Sequence, residues 1–110
     1  MVTTLAALGL AALSPAVASA SVLISAPHPF TKRCGAKIEL GIWYKDDGRP
    51  TARSVSMSIR TLNGRTVWRK RAVATSSWRY WRYKPACGRR YIVRYRSADF
   101  SESYRVRIRG

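Results

Sequence analysis

The chain has 110 residues, with 21 lysines and arginines against 5 aspartates and glutamates, for a formal net charge of +16. Every one of those charges lies beyond residue 20, so a short uncharged stretch precedes a strongly basic remainder. A remainder of about ninety residues allows one small domain and excludes a multidomain enzyme, a doubly wound sheet or a barrel with loop-borne active sites.

Residues 1–20 contain an apolar run from Leu5 to Leu13, then Pro15, then the small-residue triplet Ala18-Ser19-Ala20. This is the pattern of a secretory signal peptide cleaved before Ser21. The apolar run is about half of the roughly 20 residues needed to cross a bilayer, so export is expected rather than anchoring. Export in turn puts Cys34 and Cys87 in an oxidising compartment, where two cysteines in a small domain are expected to form one intramolecular disulfide. There is no CxxC, and one histidine does not complete a zinc site.

Along the mature chain strand signals recur, and no stretch carries a helical period. Residues 21–24 read as a first strand, interrupted by Pro27-His28-Pro29; we treat 21–33 as a leader strand with a Pro-containing segment and 34–110 as the domain proper. Ile38, Leu40, Ile42 and Tyr44 alternate with Lys37, Glu39, Gly41 and Trp43, the signature of a half-buried strand. A turn-rich loop, Lys45 to Pro50, leads to Val55, Met57 and Ile59, which alternate with serines and Arg60. Asn63-Gly64 is a strong hairpin signal, since both residues tolerate positive φ. It opens Thr66 to Val73, where Trp68 or Val67 faces inward. Trp78 to Tyr83 carries Trp78, Tyr80 and Arg82 on one side and Arg79, Trp81 and Tyr83 on the other. Two final strands follow, with Tyr91, Val93 and Tyr95 inward in the first and Tyr104, Val106 and Ile108 inward in the second.

Seven short strands without helices predict an all-β fold, a seven-stranded antiparallel β-sandwich with one disulfide. If seven strands alternate in direction, the second and sixth run the same way. Cys34-Gly35 and Cys87-Gly88 immediately precede those two strands, which places their sulfurs at one end of the sandwich. From Cys34 to Arg109, the series Gly88-x-x-Tyr91-x-Val93-x-Tyr95, a short loop and an alternating last strand resemble immunoglobulin-like and fibronectin type III-like modules of bacterial secreted proteins. The 16 arginines against 5 lysines and the Ala-rich leader resemble actinobacterial usage.

Catalysis needs convergent titratable groups, and few are present. His28 stands alone between prolines, Asp46, Asp47 and Asp99 read as turn residues, and Glu39 and Glu102 lie among basic strands. No phosphate loop, nucleophile elbow or metal spacing occurs, so neither an enzyme nor a cofactor is expected. What remains is charge. Arg90, Arg94 and Arg96 alternate outward on one of the last strands, and Arg105, Arg107 and Arg109 on the other, with Arg60 on a neighbouring strand. Crowded guanidinium groups repel one another until an anionic partner or counter-ions relieve them, so these seven are the candidate anion-binding residues.

The aromatic run offers a second set, Trp78, Arg79, Tyr80 and Trp81. As a strand, half of it belongs to the core. Exposed Trp and Arg together stack on sugars or bases, or insert among lipid headgroups. Trp78-Arg79-Tyr80, nine residues before Cys87, also resembles the Trp-Arg-Tyr triplet of the tendamistat family of secreted α-amylase inhibitors. That resemblance implies a triplet on an exposed turn that enters the amylase active site. The expectation from sequence is therefore a secreted, monomeric binding module for an extracellular or cell-surface polyanion, such as a cell-wall polymer or acidic glycan. The alternatives are a protein partner of the inhibitor kind and a cationic membrane-active role.

Overall fold

A computed structural model of the protein describes residues 22–45 and 53–110. Residues 1–20, expected from sequence to be an export leader, and Asp46 to Pro50, expected to belong to a turn-rich loop, lie outside the described residues. Among the described residues there are eight strands and no helix: β1 (Val22–Ser25), β2 (Thr31–Lys32), β3 (Ile38–Tyr44), β4 (Ser54–Thr61), β5 (Thr66–Val73), β6 (Arg79–Tyr83), β7 (Arg90–Arg96) and β8 (Ser101–Ile108). They form a three-stranded sheet in the order β1-β3-β6 and a five-stranded sheet in the order β2-β8-β7-β4-β5.

The period-2 alternation decides which side chains meet between the sheets. Val22 and Ile24 of β1, with Ile38, Leu40 and Ile42 of β3, are buried from one sheet; Val55, Met57, Ile59, Tyr91, Val93, Tyr95, Val106 and Ile108 are buried from the other. All belong to one hydrophobic cluster, against which Trp81, Tyr83, Trp68 and Tyr104 pack at its margin. The first strand is thus built into the same core as everything after Cys34.

Two features depart from the seven-strand antiparallel expectation. Pro27 and Pro29 lack the N–H groups needed to continue β1, and beyond them the chain reaches the edge of the other sheet. There β2 pairs with β8 in parallel, Thr31 opposite Arg107, and Phe30 and Lys32 carbonyls accept from the Arg107 and Arg109 amides. The five-stranded sheet is therefore mixed. An edge strand of two residues leaves no alternation to read in the sequence.

The turn at Asn63-Gly64 forms as expected, with Gly64 at φ 92° and its amide donating to the Thr61 carbonyl. A register shift between Ile59 and Arg60 sets Trp68 opposite Ile59 and Thr66 opposite Arg60. Trp68 is thereby turned toward the core, and Val67 is the extra residue of the bulge.

Two tyrosines tie the layers and loops together. The Tyr91 hydroxyl, on the second residue of β7, accepts from the Ala86 amide at 2.9 Å and closes the β6–β7 connection. The Tyr95 hydroxyl crosses the core, accepting from the Gly41 amide at 3.1 Å and donating to the Ser25 carbonyl at 2.7 Å. Cys34 and Cys87 are joined in a disulfide with their Cα atoms 5.0 Å apart, directly before β3 and β7. The parallel course of those two strands, expected from strand counting, brings the sulfurs together at one end.

Candidate anion-binding site

The outer face of the five-stranded sheet is written by the residues that alternate with its core. On β4 these are Ser54, Ser56, Ser58 and Arg60. The register then fixes their neighbours. Ser58 lies between Arg69 of β5 and Arg94 of β7, and Ser56 between Arg71 and Arg96. The next strand outward, β8, places Ser103 beside Arg94 and Ser101 beside Arg96. Two successive rungs of the sheet thus read Arg-Ser-Arg-Ser.

Because serine is short and arginine long, the Ser column of β4 becomes the floor of a groove and the two Arg columns its walls. The groove has a volume of about 700 Å³, and Met57, Arg60, Thr66 and Lys70 complete its lining with the arginines and β4 serines of the two rungs. It continues past Ser54 toward Ser97 and Ala98. Among the described residues no carboxylate lines it. The ion pair between Arg82 and Glu39, 2.8 Å, lies on the other sheet. Arg94 is half-buried, its Nε donating to Ser103 Oγ at 3.4 Å, so one wall is braced from behind.

Of the seven arginines expected to bind an anion, the structure brings Arg60, Arg94 and Arg96 to this groove. Arg90 and Arg107 pair with each other two rungs further along the same face, past the rung where Arg105 lies opposite Ile92. Arg94 and Arg96 therefore face serines of β8 rather than the arginines Arg105 and Arg107 expected beside them. The β7–β8 loop sets that register, and loop geometry was not legible from alternation alone. Arg109 follows β8 at the disulfide end, its backbone bonded to Lys32 and Gly88. Arg69 and Arg71 were missed. Their signal was present, since both alternate with Lys70 and Ala72, but only the pairing of β5 with β4 places them across the serines from Arg94 and Arg96.

The chain matches no family model and no curated protein sequence. Function must therefore be argued from the two outer faces.

The second face belongs to the three-stranded sheet. Trp78 and Tyr80 are 41% and 47% exposed, and Trp43, Trp78 and Tyr80 lie near-parallel with ring centroids 6.0 and 5.8 Å apart. The Trp43 indole donates to the Ser76 carbonyl at 2.9 Å, which holds the series at one end. Arg79 does not join them. Its guanidinium donates to the Val73 carbonyl at 3.0 Å and lies 5.2 Å from the centroid of the half-buried Trp81 ring. The triplet Trp78-Arg79-Tyr80 thus stands at the start of β6 rather than on a projecting turn, with its middle residue directed to the opposite side. His28 is exposed, its ring edge-on to Phe30. The aromatic series and the arginine groove occupy the outer faces of different sheets.

Proposed function

We propose that the protein is a secreted, non-enzymatic binding module, monomeric, whose arginine groove takes an anionic polymer of the extracellular space or cell surface. One observation carries the reading: a column of serines flanked on both sides by arginines, with no carboxylate among the described lining residues. A solvated basic strand face needs neither the serine floor nor the registration of arginines across it. A guanidinium presents several donors in a rigid fork, and hydroxyls beneath add donors toward the same oxygens. The disulfide and the apolar leader support the extracellular assignment.

We read the fold as a seven-stranded immunoglobulin-like sandwich with β2 added at one edge. The strand orders β1-β3-β6 and β8-β7-β4-β5 support this. So does Tyr91, which lies near the start of β7 and reaches back to the Ala86 amide, the role of the tyrosine corner in such domains.

The test is retention on an immobilised polyanion eluted with salt. The protein should elute at substantially higher salt than a variant with Arg69, Arg71, Arg94 and Arg96 replaced by glutamine; co-elution of the two removes the reading. A second reading, occlusion of a secreted glycoside hydrolase by Trp78 and Tyr80, is favoured by the exposure of both rings. Addition of the protein at micromolar concentration to α-amylase decides it, absence of inhibition removing that reading.

A further inference from the structure

Resting on the polyanion reading, we infer that the groove is specific for a base-free phosphodiester chain, such as a polyol phosphate. The chain lies along β4 with successive phosphates seated on successive Arg-Ser-Arg rungs.

The rungs Arg69-Ser58-Arg94 and Arg71-Ser56-Arg96 occupy alternate positions of antiparallel strands, which recur about every 6.8 Å. A chain whose phosphates are joined through three-carbon units repeats on that scale when extended. In sulfated glycans the anionic groups are clustered several to a disaccharide around the rings, rather than set singly at one regular step along the chain.

Within one rung the two arginines stand on strands either side of β4, about 9.6 Å apart at the usual strand spacing, with the serine hydroxyl between and below. A planar carboxylate is satisfied by one guanidinium fork. A bridging phosphate presents its oxygens in three dimensions and takes donors from both walls and the floor together.

Proteins that hold single-stranded nucleic acid join a basic groove to aromatic rings on which bases stack. Among the described residues no aromatic side chain lines this groove, and the exposed rings of Trp78 and Tyr80 lie on the outer face of the other sheet. The ligand is therefore read through its phosphates alone, and bases add nothing to its affinity.

The test uses the disulfide-bonded protein and short oligomers of poly(glycerol phosphate), oligothymidylate and heparin matched in charge, titrated over a series of salt concentrations. The glycerol phosphate oligomer should bind at least as tightly as oligothymidylate and at least tenfold more tightly than heparin. R69Q/R71Q/R94Q/R96Q should lose at least tenfold in affinity and flatten the log–log salt slope by about 1.5, the loss of two phosphate seats. R90Q/R107Q, on the same face beyond the groove, should stay within twofold. Circular dichroism and thermal melting check that both variants are folded. Equal binding of heparin overturns the phosphodiester assignment while leaving the polyanion reading standing, and tighter binding of oligothymidylate overturns the base-free assignment. Failure to bind all three overturns both readings.

Discussion

The Tyr95 hydroxyl oxygen lies 3.1 Å from the Gly41 amide nitrogen, although the two residues belong to different sheets and are 54 positions apart. Gly41 is the register partner of Ser25, and the same hydroxyl donates to the Ser25 carbonyl. A side chain from the five-stranded sheet is therefore inserted between the amide and carbonyl of two paired strands of the three-stranded sheet. It supplies both with partners where β1 ends, and locks the spacing of the layers at that point.

Replacing Tyr95 by phenylalanine keeps the ring and removes both hydrogen bonds. The Gly41 amide and Ser25 carbonyl then lose their partner in a buried setting, which costs about 1–3 kcal/mol per unsatisfied group. We expect Tyr95→Phe to lose about 2–3 kcal/mol in urea unfolding, with partial relief if β1 closes directly on β3. Amide exchange at Gly41 should accelerate by more than at residues of the β4–β5 hairpin.

Alkaline pH should act through the same group. Burial raises the Tyr95 hydroxyl far above its ordinary value near 10, and burial followed by the neighbouring Glu102 charge raises Tyr104. Above about pH 10 the unfolded chain releases these protons while the folded chain holds them, so the unfolded state binds fewer protons and stability falls as pH rises. For Tyr95 alone the loss approaches about 1.4 kcal/mol per pH unit between the unfolded and folded values. Unfolding midpoints should hold steady below pH 9 and then decline more steeply in the wild type than in Tyr95→Phe. Parallel slopes would mean that Tyr95 is not the group responsible.

Gly41 serves its outer face in a different way. A Cβ built there meets the Tyr80 ring at 2.7 and 2.8 Å and the Ser25 Cβ at 3.1 Å. Gly41→Ala should displace Tyr80, break the Trp78–Tyr80 stack and cost about 1 kcal/mol. In a Tyr80→Ala background most of that cost should vanish, because only the looser contact with the Ser25 Cβ remains and alanine restricts the unfolded chain more than glycine does. A double-mutant cycle with tryptophan fluorescence as the second readout measures the coupling.

The disulfide closes a separation of 53 residues, for which chain entropy gives about 4 kcal/mol of stabilisation. Both half-cystines are exposed, so a reductant has direct access. Reduction, or replacement of both cysteines by serine, should lower the thermal midpoint markedly. Because the loop spans β3 to the start of β7, the loss should be global, with near-ultraviolet dichroism and backbone dichroism falling together.

Much of this molecule was written in local pattern. Alternation placed Ile38, Leu40 and Ile42 against Val55, Met57 and Ile59 without knowledge of any contact, because a strand side chain has only two directions to choose from. The division of the aromatic run followed from the same rule. Trp81 and Tyr83 went to the core, and Trp78 and Tyr80 outward. Two cysteines left one pairing, Cys34 with Cys87, and strand counting placed both at one end of the sandwich, because antiparallel succession fixes which strands run together.

The site itself was only half legible. Sequence by itself determined that Arg94 and Arg96 point outward, since their neighbours Val93 and Tyr95 point in. What stands beside them depended on pairings between strands far apart in the chain. The register of β7 on β8 set serines rather than arginines against them, and the order β7-β4-β5 brought Arg69 and Arg71 across the serine column. The two-residue β2 and the packing of both Trp68 and Val67 against the core were decided in the same way, by an edge and by a bulge. Facing is a property of one strand and its period. A groove is a property of three strands and their register, which only the closed sheet determines.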